Sequence, residues 1–341
     1  VGSANEKIVI QGSEIQNVQN QITVKNPEWW SIDNPVLYTA EVVIESDGQK
    51  KETFKQPFGI RTIEFSAENG FQLKGGCMHH DNGFLGAAAF ERAEFRKVEI
   101  MKSNGYNAIR CAHNPPSSAF LDACDQLGML IIDEFTDMWE FYKNPQDYSQ
   151  FFHDWWNKDL SDMMLRDRNH PSVIMWSIGN EVYEPDSLTR MRIVTELTNR
   201  VKELDNTRAA TLAITSFFYP KGWETTTPVF DLMDVCGYNY MLDKIESDHE
   251  QFPERVIYMS ESYATTAYDY WKTVEKYPYV IGDFIWTAWD YIGETDIATR
   301  TYVPESQNQS FSGNFSNFKI PDGIHIFDMQ ARRASSWPKF M

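Results

Sequence analysis

Cysteine is scarce in this chain, and its spacing does not suit a metal site. The 341 residues include four cysteines, and none of them belongs to a CxxC or CxxxH pattern. Three lie inside apolar, strand-like stretches. We therefore predict buried free thiols and no metal ligands. The four are Cys77, Cys111, Cys124 and Cys236.

Long apolar runs and basic clusters are missing as well. No apolar run approaches the roughly 20 residues that a membrane-spanning helix needs. The net charge is -18, and the pair Arg332-Arg333 is too short to form a basic patch. Such a chain repels nucleic acids and anionic membranes, so neither is expected as a partner.

The first residues, VGSANEKIVI, lack both an initiator methionine and the basic-then-apolar pattern of a signal peptide. We interpret the chain as a processed or excised piece, and its compartment and oligomeric state, including a homo-oligomer, stay open.

The chain is long and rich in aromatic residues. Its length suffices for one large domain and a small one. Aromatic residues make up 14% of it, and many stand near polar groups at predicted strand ends. Sugar sites have this composition because the C–H faces of a pyranose pack on aromatic rings, although ordinary cores have it too.

Residues 1–66 are predicted to be β structure. The segments IVIQ, QITVK, LYTAEVVIES and KKETFKQPFGIRTIEF have strand character, and alternation across Asp47-Gly48 predicts a hairpin. These strands are too few to close a sandwich. We therefore expect residues 1–67 to be the C-terminal part of an immunoglobulin-like β-sandwich whose other strands lie upstream.

Residues 68–341 follow a different pattern, in which strands alternate with amphipathic helices. This alternation predicts parallel βαβ units, and eight strands predict a (β/α)8 TIM barrel. A doubly wound sheet is the alternative, but LKGG after the first strand is no phosphate-binding turn. A polar loop at 304–318 and a short eighth helix at 327–341 follow the last strand. The predicted strands are 71–77, 107–111, 129–133, 173–178, 209–213, 235–237, 256–259 and 280–286, and the clearest helices are 92–103, 118–127, 152–168 and 188–204.

Polar or aromatic side chains follow seven of these strands. The clearest case is VIMWSIGNE (173–181), a buried strand that ends in Asn180 and Glu181. In a barrel the C-terminal strand ends converge on one cleft, so Glu181 and Glu261 are expected to face each other. Glycosidic bond hydrolysis requires such a carboxylate pair. The other strand ends carry His79-His80-Asp81, Arg110 with His113-Asn114, Asp133-Glu134, Tyr238-Asn239-Tyr240, Ser260 with Ser262, and Trp286 with Trp289-Asp290.

Four longer motifs resemble glycoside hydrolase family 2, which contains β-galactosidases, β-glucuronidases and β-mannosidases. They are DRNHPSVIMWSIGNE (167–181), NAIRCAHNPP (107–116), FGIRTIEF (58–65) and DFIWTAWDYIGE (283–294). The resemblance covers nearly the whole chain, but the family's N-terminal sugar-binding sandwich has no counterpart in it.

The resemblance implies a retaining mechanism, with Glu181 as general acid/base and Glu261 as nucleophile. It also implies that Asn180 donates to the sugar 2-hydroxyl and that Tyr240 hydrogen-bonds the nucleophile and holds it charged. Each pocket residue has a structural alternative: a core histidine, a packing tryptophan, or an arginine that orients a carboxylate. The implied pocket residues are His80, Asp81, Arg110 and His113, with Trp286 as the floor.

Departures from the family patterns narrow the expected activity. Met138 and Glu140 replace the Glu-x-His pair of the magnesium-dependent galactosidases, so neither a metal nor another cofactor is expected. KIPDGIHIF (319–327) lacks the Asn-x-Lys element of the glucuronidases, and SIGNE lacks the extra Asn usual in mannosidases. We therefore expect a β-galactosidase acting on β-linked oligosaccharides or glycosides. The alternatives are a β-glucuronidase, a β-mannosidase or a non-catalytic carbohydrate-binding fragment.

Overall fold

Eight parallel strands form a closed barrel, as the sequence predicts. A computed structural model describes residues 1–80, 82, 85–219 and 222–289. The last strand pairs with the first, which closes the ring in chain order. The strands are β3 (Leu73–Met78), β4 (Ala108–Cys111), β5 (Leu130–Glu134), β6 (Val173–Asn180), β7 (Ala209–Ile214), β8 (Val235–Asn239), β9 (Ile257–Tyr263) and β10 (Val280–Trp286).

The four helices predicted most clearly are present, and each bound lies within three residues of its prediction. Local capping explains two of them. Ser117 accepts a hydrogen bond from the backbone N–H of Phe120 at the start of the second helix, and Asp186 does the same for Thr189 at the fourth. The helices are α1 (Glu91–Ser103), α2 (Ser118–Leu127), α3 (Ser149–Asp167), α4 (Ser187–Leu204), α5 (Thr227–Phe230), α6 (Ile245–Gln251) and α7 (Ala267–Lys276).

Side chains alternate between two buried clusters along the strands. Ile109 belongs to the cluster that includes helix residues, whereas its neighbour Ala108 belongs to the second cluster, with Ile132. A period of two is what a strand with both faces buried requires. Gly75 is needed for this packing, because a Cβ there would lie 2.2 Å from the ring of Phe284.

The predicted hairpin before the barrel is confirmed, but the other early strands are not. Strands β1 (Tyr38–Ser46) and β2 (Gln49–Phe58) pair antiparallel across Asp47 and Gly48, which both have positive φ. The predictions for IVIQ and QITVK were wrong, as was that for the part of KKETFKQPFGIRTIEF beyond Phe58, because residues 1–37 and 59–72 contain no strand. A strand is stabilised by the ladder that it forms with a neighbour, and these segments have no such neighbour in the structure.

Two side chains from the N-terminal segment anchor it to the barrel. The indole of Trp30 donates to the carbonyl oxygen of Asp125 at 2.9 Å. Arg61 donates to the carbonyl oxygens of Pro171 and Val173 at the start of β6. Both contacts lie at the end of the barrel opposite Glu181. Within the described ranges, no helix is long and apolar enough to cross a membrane.

Candidate active site

Glu181 lies directly after β6 at the C-terminal end of the barrel. Its backbone N–H donates to the carbonyl oxygen of Ala213 at 2.8 Å, which ties it to β7. Its φ of 42° is in the left-handed region, which costs a non-glycine residue roughly 1–2 kcal/mol. Asn239, at the end of β8, donates to Oε1 of the carboxyl group at 2.8 Å. The two hydrogen bonds therefore hold the backbone and the carboxyl group of Glu181 in place.

The environment of Glu181 favours its protonated form. Burial is the largest cause, and the negative charge of Glu261 adds to it, so the pKa rises to about 7. A hydrogen bond from Asn239 and the charges of Lys143 and His113 act in the opposite direction. A carboxyl group with this pKa is half protonated near neutral pH, which suits a group that must both give and take a proton.

Glu261 lies within β9 and has a different environment. Its residue is 4% exposed. Arg110 Nη1 donates to Oε1 at 2.9 Å, and the hydroxyl group of Tyr240 donates to Oε2 at 2.7 Å. Tyr240 also has a positive φ, of 61°. Both carboxylate oxygens thus receive a strong donor, one of them charged, which is the arrangement that suits an anion.

Arg110 is the centre of the buried hydrogen-bond network. Its guanidinium is fully buried and also binds Glu134, with Nη2 2.8 Å from Oε2. Burial raises the pKa of Glu134, but Arg110 and hydrogen bonds from His113 and Ser177 outweigh it, so the pKa lies below its usual value. Arg110 contacts carboxylates and an amide and is not exposed to the cleft, which matches the carboxylate-orienting alternative for this residue.

Asn180 is held on both sides of its amide group. Its Oδ1 accepts from Arg110 Nη2 at 2.8 Å and from Asn239 Nδ2 at 3.0 Å. Its Nδ2 donates to Asp137 Oδ1 at 2.9 Å and lies 3.3 Å from His113 Nε2. Since Arg110 only donates and Asp137 only accepts, the orientation of the amide follows from its partners.

Aromatic and imidazole rings form one wall near these carboxylates. The rings of His113 and Trp286 stack with centroids 5.1 Å apart, and His79 contacts both edge-on. Burial, followed by the charge of His113, lowers the pKa of His79 to about 3. Nε2 of His80 lies 3.3 Å from the carbonyl oxygen of Asn114, and burial lowers the pKa of His80 as well.

Some of the predicted positions lie outside the described residues. Asp81 and Asp290 are among them, together with the loop at 304–318, the stretch 319–327 and the proposed eighth helix.

Besides Glu134, further residues contact the site that were not among the predicted site residues. Asn239 bonds both Glu181 and Asn180, and Ser260 donates to its Oδ1 at 2.5 Å. Asp137 and Lys143, from the loop after β5, bond Asn180. Asn239 could have been predicted from its position, because it lies at a strand end directly before Tyr240, which was among the predicted site residues. No such pattern in the sequence identifies Lys143, since an irregular loop brings it to the site.

Among the described residues, one group of three side chains has atoms close enough to share a metal ion. It consists of Asp122, Asp125 and His170, whose candidate ligand atoms lie within 4.8 Å of one another. Asp125 already accepts from His170 Nδ1 at 2.7 Å and from the backbone of Ser172 at 3.0 Å. The group precedes β6 and is therefore at the opposite end of the strand from Glu181.

Comparisons with known proteins assign this chain to a family. The model described as "Glycosyl hydrolases family 2, TIM barrel domain" matches residues 67–327, and the model "Glycosyl hydrolases family 2" matches residues 1–61. A crystal structure of a family 2 member from Bacteroides cellulosilyticus is 52% identical, with a TM-score of 0.76, and the match covers 80% of this chain and 35% of that one.

Two curated relatives carry different names. The β-galactosidase BoGH2A of Bacteroides ovatus is 33% identical over 83% of this chain and 42% of that protein. A predicted β-glucuronidase of Formosa agariphila is 30% identical over 86% of this chain and 34% of that protein. The chain therefore spans less than half the length of each of these relatives.

Proposed function

Because the chain belongs to glycoside hydrolase family 2, we propose that it hydrolyses β-glycosides with retention of configuration at the anomeric carbon. In the first step an oxygen of Glu261 attacks that carbon, the glycosidic bond breaks, and the leaving oxygen takes the proton of Glu181. In the second step Glu181 removes a proton from water, whose oxygen attacks the same carbon and releases Glu261.

The unlike environments of the two carboxyl groups support this proposal more than any other observation. Glu261 accepts from Arg110 and Tyr240, as a nucleophile that must be ionised requires. Glu181 accepts from the neutral amide of Asn239, and burial and the charge of Glu261 raise its pKa to about 7. We expect the two carboxyl groups to lie roughly 5–5.5 Å apart, the retaining distance.

The other residues take supporting roles in this proposal. Asn180 donates to the 2-hydroxyl of the sugar, and Arg110 positions Glu261 instead of contacting the sugar. His80, Asp81 and His113 line the sugar pocket, and Trp286 forms its floor. We also propose that the chain divides near residue 67 into part of a β-sandwich domain (1–67) and the barrel domain (68–341).

A β-galactoside is the substrate we favour. The stretch 319–327 lacks an internal Asn-x-Lys element, and BoGH2A, the β-galactosidase of Bacteroides ovatus, is a relative. A β-glucuronide is the second candidate, for a specific reason. Asn317, Phe318 and Lys319 have the Asn-x-Lys spacing at the edge of that stretch, and the Formosa agariphila relative is a predicted β-glucuronidase.

Turnover of nitrophenyl β-glycosides tests the proposal directly. The β-galactoside, β-glucuronide, β-mannoside and β-glucoside are compared by kcat/KM, and proton NMR of the first sugar released shows whether its configuration is retained. We expect the galactoside to be the best substrate. A preference for the glucuronide that is lost in Lys319→Ala, with the neutral sugars unaffected, would establish the second candidate. No turnover of any glycoside would favour a non-catalytic carbohydrate-binding chain.

A further inference from the structure

An ion pair from the loop after β5 contacts the acid/base side of the site. Lys143 Nζ lies 2.7 Å from Asp137 Oδ1 and donates to the carbonyl oxygen of Asn180 at 2.8 Å. Both side chains are mostly buried, with 14% of Lys143 and 27% of Asp137 exposed. The backbone N–H groups of Lys143 and Asn144 donate to Asp147, which fixes the loop at this point. The ammonium group is therefore held against the residue that precedes Glu181.

Asp137 also fixes the amide group of Asn180. The Nδ2 group faces Asp137, which can only accept, whereas Oδ1 faces Arg110, which can only donate. If Asp137 were an amide, one of the two constraints on this orientation would be lost. Asp137 is suited to its task because it is ionised: burial raises its pKa, but His113 and Lys143 and the hydrogen bonds that it accepts bring the pKa below its usual value.

From this geometry we propose that Asp137 and Lys143 are positioning residues for hydrolysis, with Asp137 orienting the amide of Asn180 and Lys143 supplying a fixed positive charge beside Glu181. The inference rests on the proposed roles of Glu181 and Asn180. In addition, the charge of Lys143 helps Glu181 to ionise for the second step, although burial and the carboxylate of Glu261 both oppose its ionisation.

The charge of Lys143 acts on Glu181 together with groups from three other elements. The positive charge of Lys143 stabilises the ionised carboxylate of Glu181 and so lowers its pKa. Removal of Lys143 takes away this effect, while burial and the charge of Glu261 still raise the pKa. The pKa of Glu181 must then rise. Among the described residues, the other titratable groups that act on Glu181 are Glu261 on β9, His113 after β4 and Tyr240 after β8.

The pH dependence of kcat/KM tests the role of Lys143. Lys143→Met should move the alkaline limb upward by about one pH unit, as expected for the loss of one nearby charge. Lys143→Arg should restore the limb to the wild-type position. Lys158→Met is the matched control, because Lys158 forms an exposed pair with Asp162 on α3. An alkaline limb that stays in place in Lys143→Met, with functional sites counted by a 2-fluoro-glycoside inactivator, would overturn this role.

A 2-deoxy substrate tests the role of Asp137. Asp137→Asn should lower kcat/KM for the ordinary aryl glycoside by about tenfold, the value of one lost hydrogen bond. It should change turnover of the 2-deoxy analogue by less than about twofold, since that substrate offers no hydroxyl group to Asn180. Equal losses on both substrates would show that Asp137 does not act through Asn180.

One further variant separates failure of this inference from failure of the proposed function. Glu181→Ala should have no alkaline limb of its own, and added azide should accelerate its turnover of aryl glycosides with good leaving groups. If that limb persists in Glu181→Ala, the acid/base assignment itself is wrong. If Glu181→Ala behaves as expected and Lys143→Met retains the wild-type limb, only the present inference fails.

Discussion

Tyr240 donates its hydroxyl group to Oε2 of Glu261 across 2.7 Å, while Arg110 binds the other carboxylate oxygen. Burial, reinforced by the charge of Glu261, raises the pKa of Tyr240, so the phenol keeps its proton and stays a donor. This relationship holds the proposed nucleophile in one rotamer with both oxygens bonded. It also distinguishes the proposed nucleophile from Glu181, whose carboxyl group accepts from the neutral amide of Asn239.

Removal of the Tyr240 hydroxyl group should slow the reaction more than it weakens binding. A hydrogen bond to a charged group contributes about 1.5–3 kcal/mol, so Tyr240→Phe should lower kcat by roughly 10- to 100-fold. Tyr263→Phe is the control, because Tyr263 stacks on Tyr240 with centroids 4.4 Å apart and is partly exposed. Steady-state kinetics on an aryl glycoside measure both. An unchanged kcat in Tyr240→Phe would show that this hydrogen bond does not serve catalysis.

Activity should decline on the alkaline side with the ionisation of one group. Burial and Glu261 raise the pKa of Glu181 to about 7, and the first step requires its protonated form. The value of kcat/KM should therefore fall as pH rises through about 7, with a slope of one proton. A pH series with a poor leaving group measures this best, since such a substrate depends on protonation. A plateau that extends far above this pH would contradict the assignment.

Chelation should leave activity intact. Glu140, which stands where the magnesium-dependent relatives have a ligand, instead accepts from Arg192 at 2.7 Å. Met138, the other substituted position, offers only a thioether sulfur, a poor ligand for Mg²⁺. Dialysis against EDTA followed by assay measures the effect. Activity that disappears and returns only with a divalent ion would contradict the prediction.

The barrel was predictable from the sequence because each of its strands is buried on both faces. Val173–Asn180 shows how: all eight residues are buried, so the strand forms an apolar run ended by Gly179 and a polar pair. The early strands were mispredicted because their composition does not show whether they pair with a neighbouring strand. Segments such as QITVK have strand composition, but pairing with a neighbour is a tertiary property that composition does not contain.

The candidate site was predictable only in part. Glu181 and Glu261 follow from the rule that the strand ends of a barrel converge, which needs no knowledge of side-chain contacts. The hydrogen bonds of Asn239 and Lys143 depend on which side chains meet across neighbouring strands and on the path of an irregular loop. Neither is encoded in spacing along the chain.

Stability should depend on pH through a carboxyl group outside the proposed reaction. Asp283 in β10 is fully buried, and burial raises its pKa to about 8 despite a hydrogen bond from Ser262. Its folded-state pKa thus exceeds the unfolded value near 4. The contribution of protonated Asp283 to stability is therefore fully present below about pH 4 and is lost as pH rises through about 8. Asp283→Asn removes this dependence.

The Tm of Asp283→Asn relative to wild type should therefore increase by several degrees between pH 5 and pH 8, since each pKa unit is worth about 1.4 kcal/mol. Asp162→Asn is the control, because its side chain is 63% exposed. A Tm difference between Asp283→Asn and wild type that does not change with pH would contradict the prediction.

The central claim is that Glu261 forms the covalent intermediate and Glu181 does not. An activated 2-fluoro-glycoside of the preferred sugar traps such an intermediate, and peptide mapping by mass spectrometry locates the modified residue. The account predicts one label per chain, on Glu261 in the sequence YMSES, and no label in Glu261→Ala. A label on Glu181 or on any third residue would contradict it.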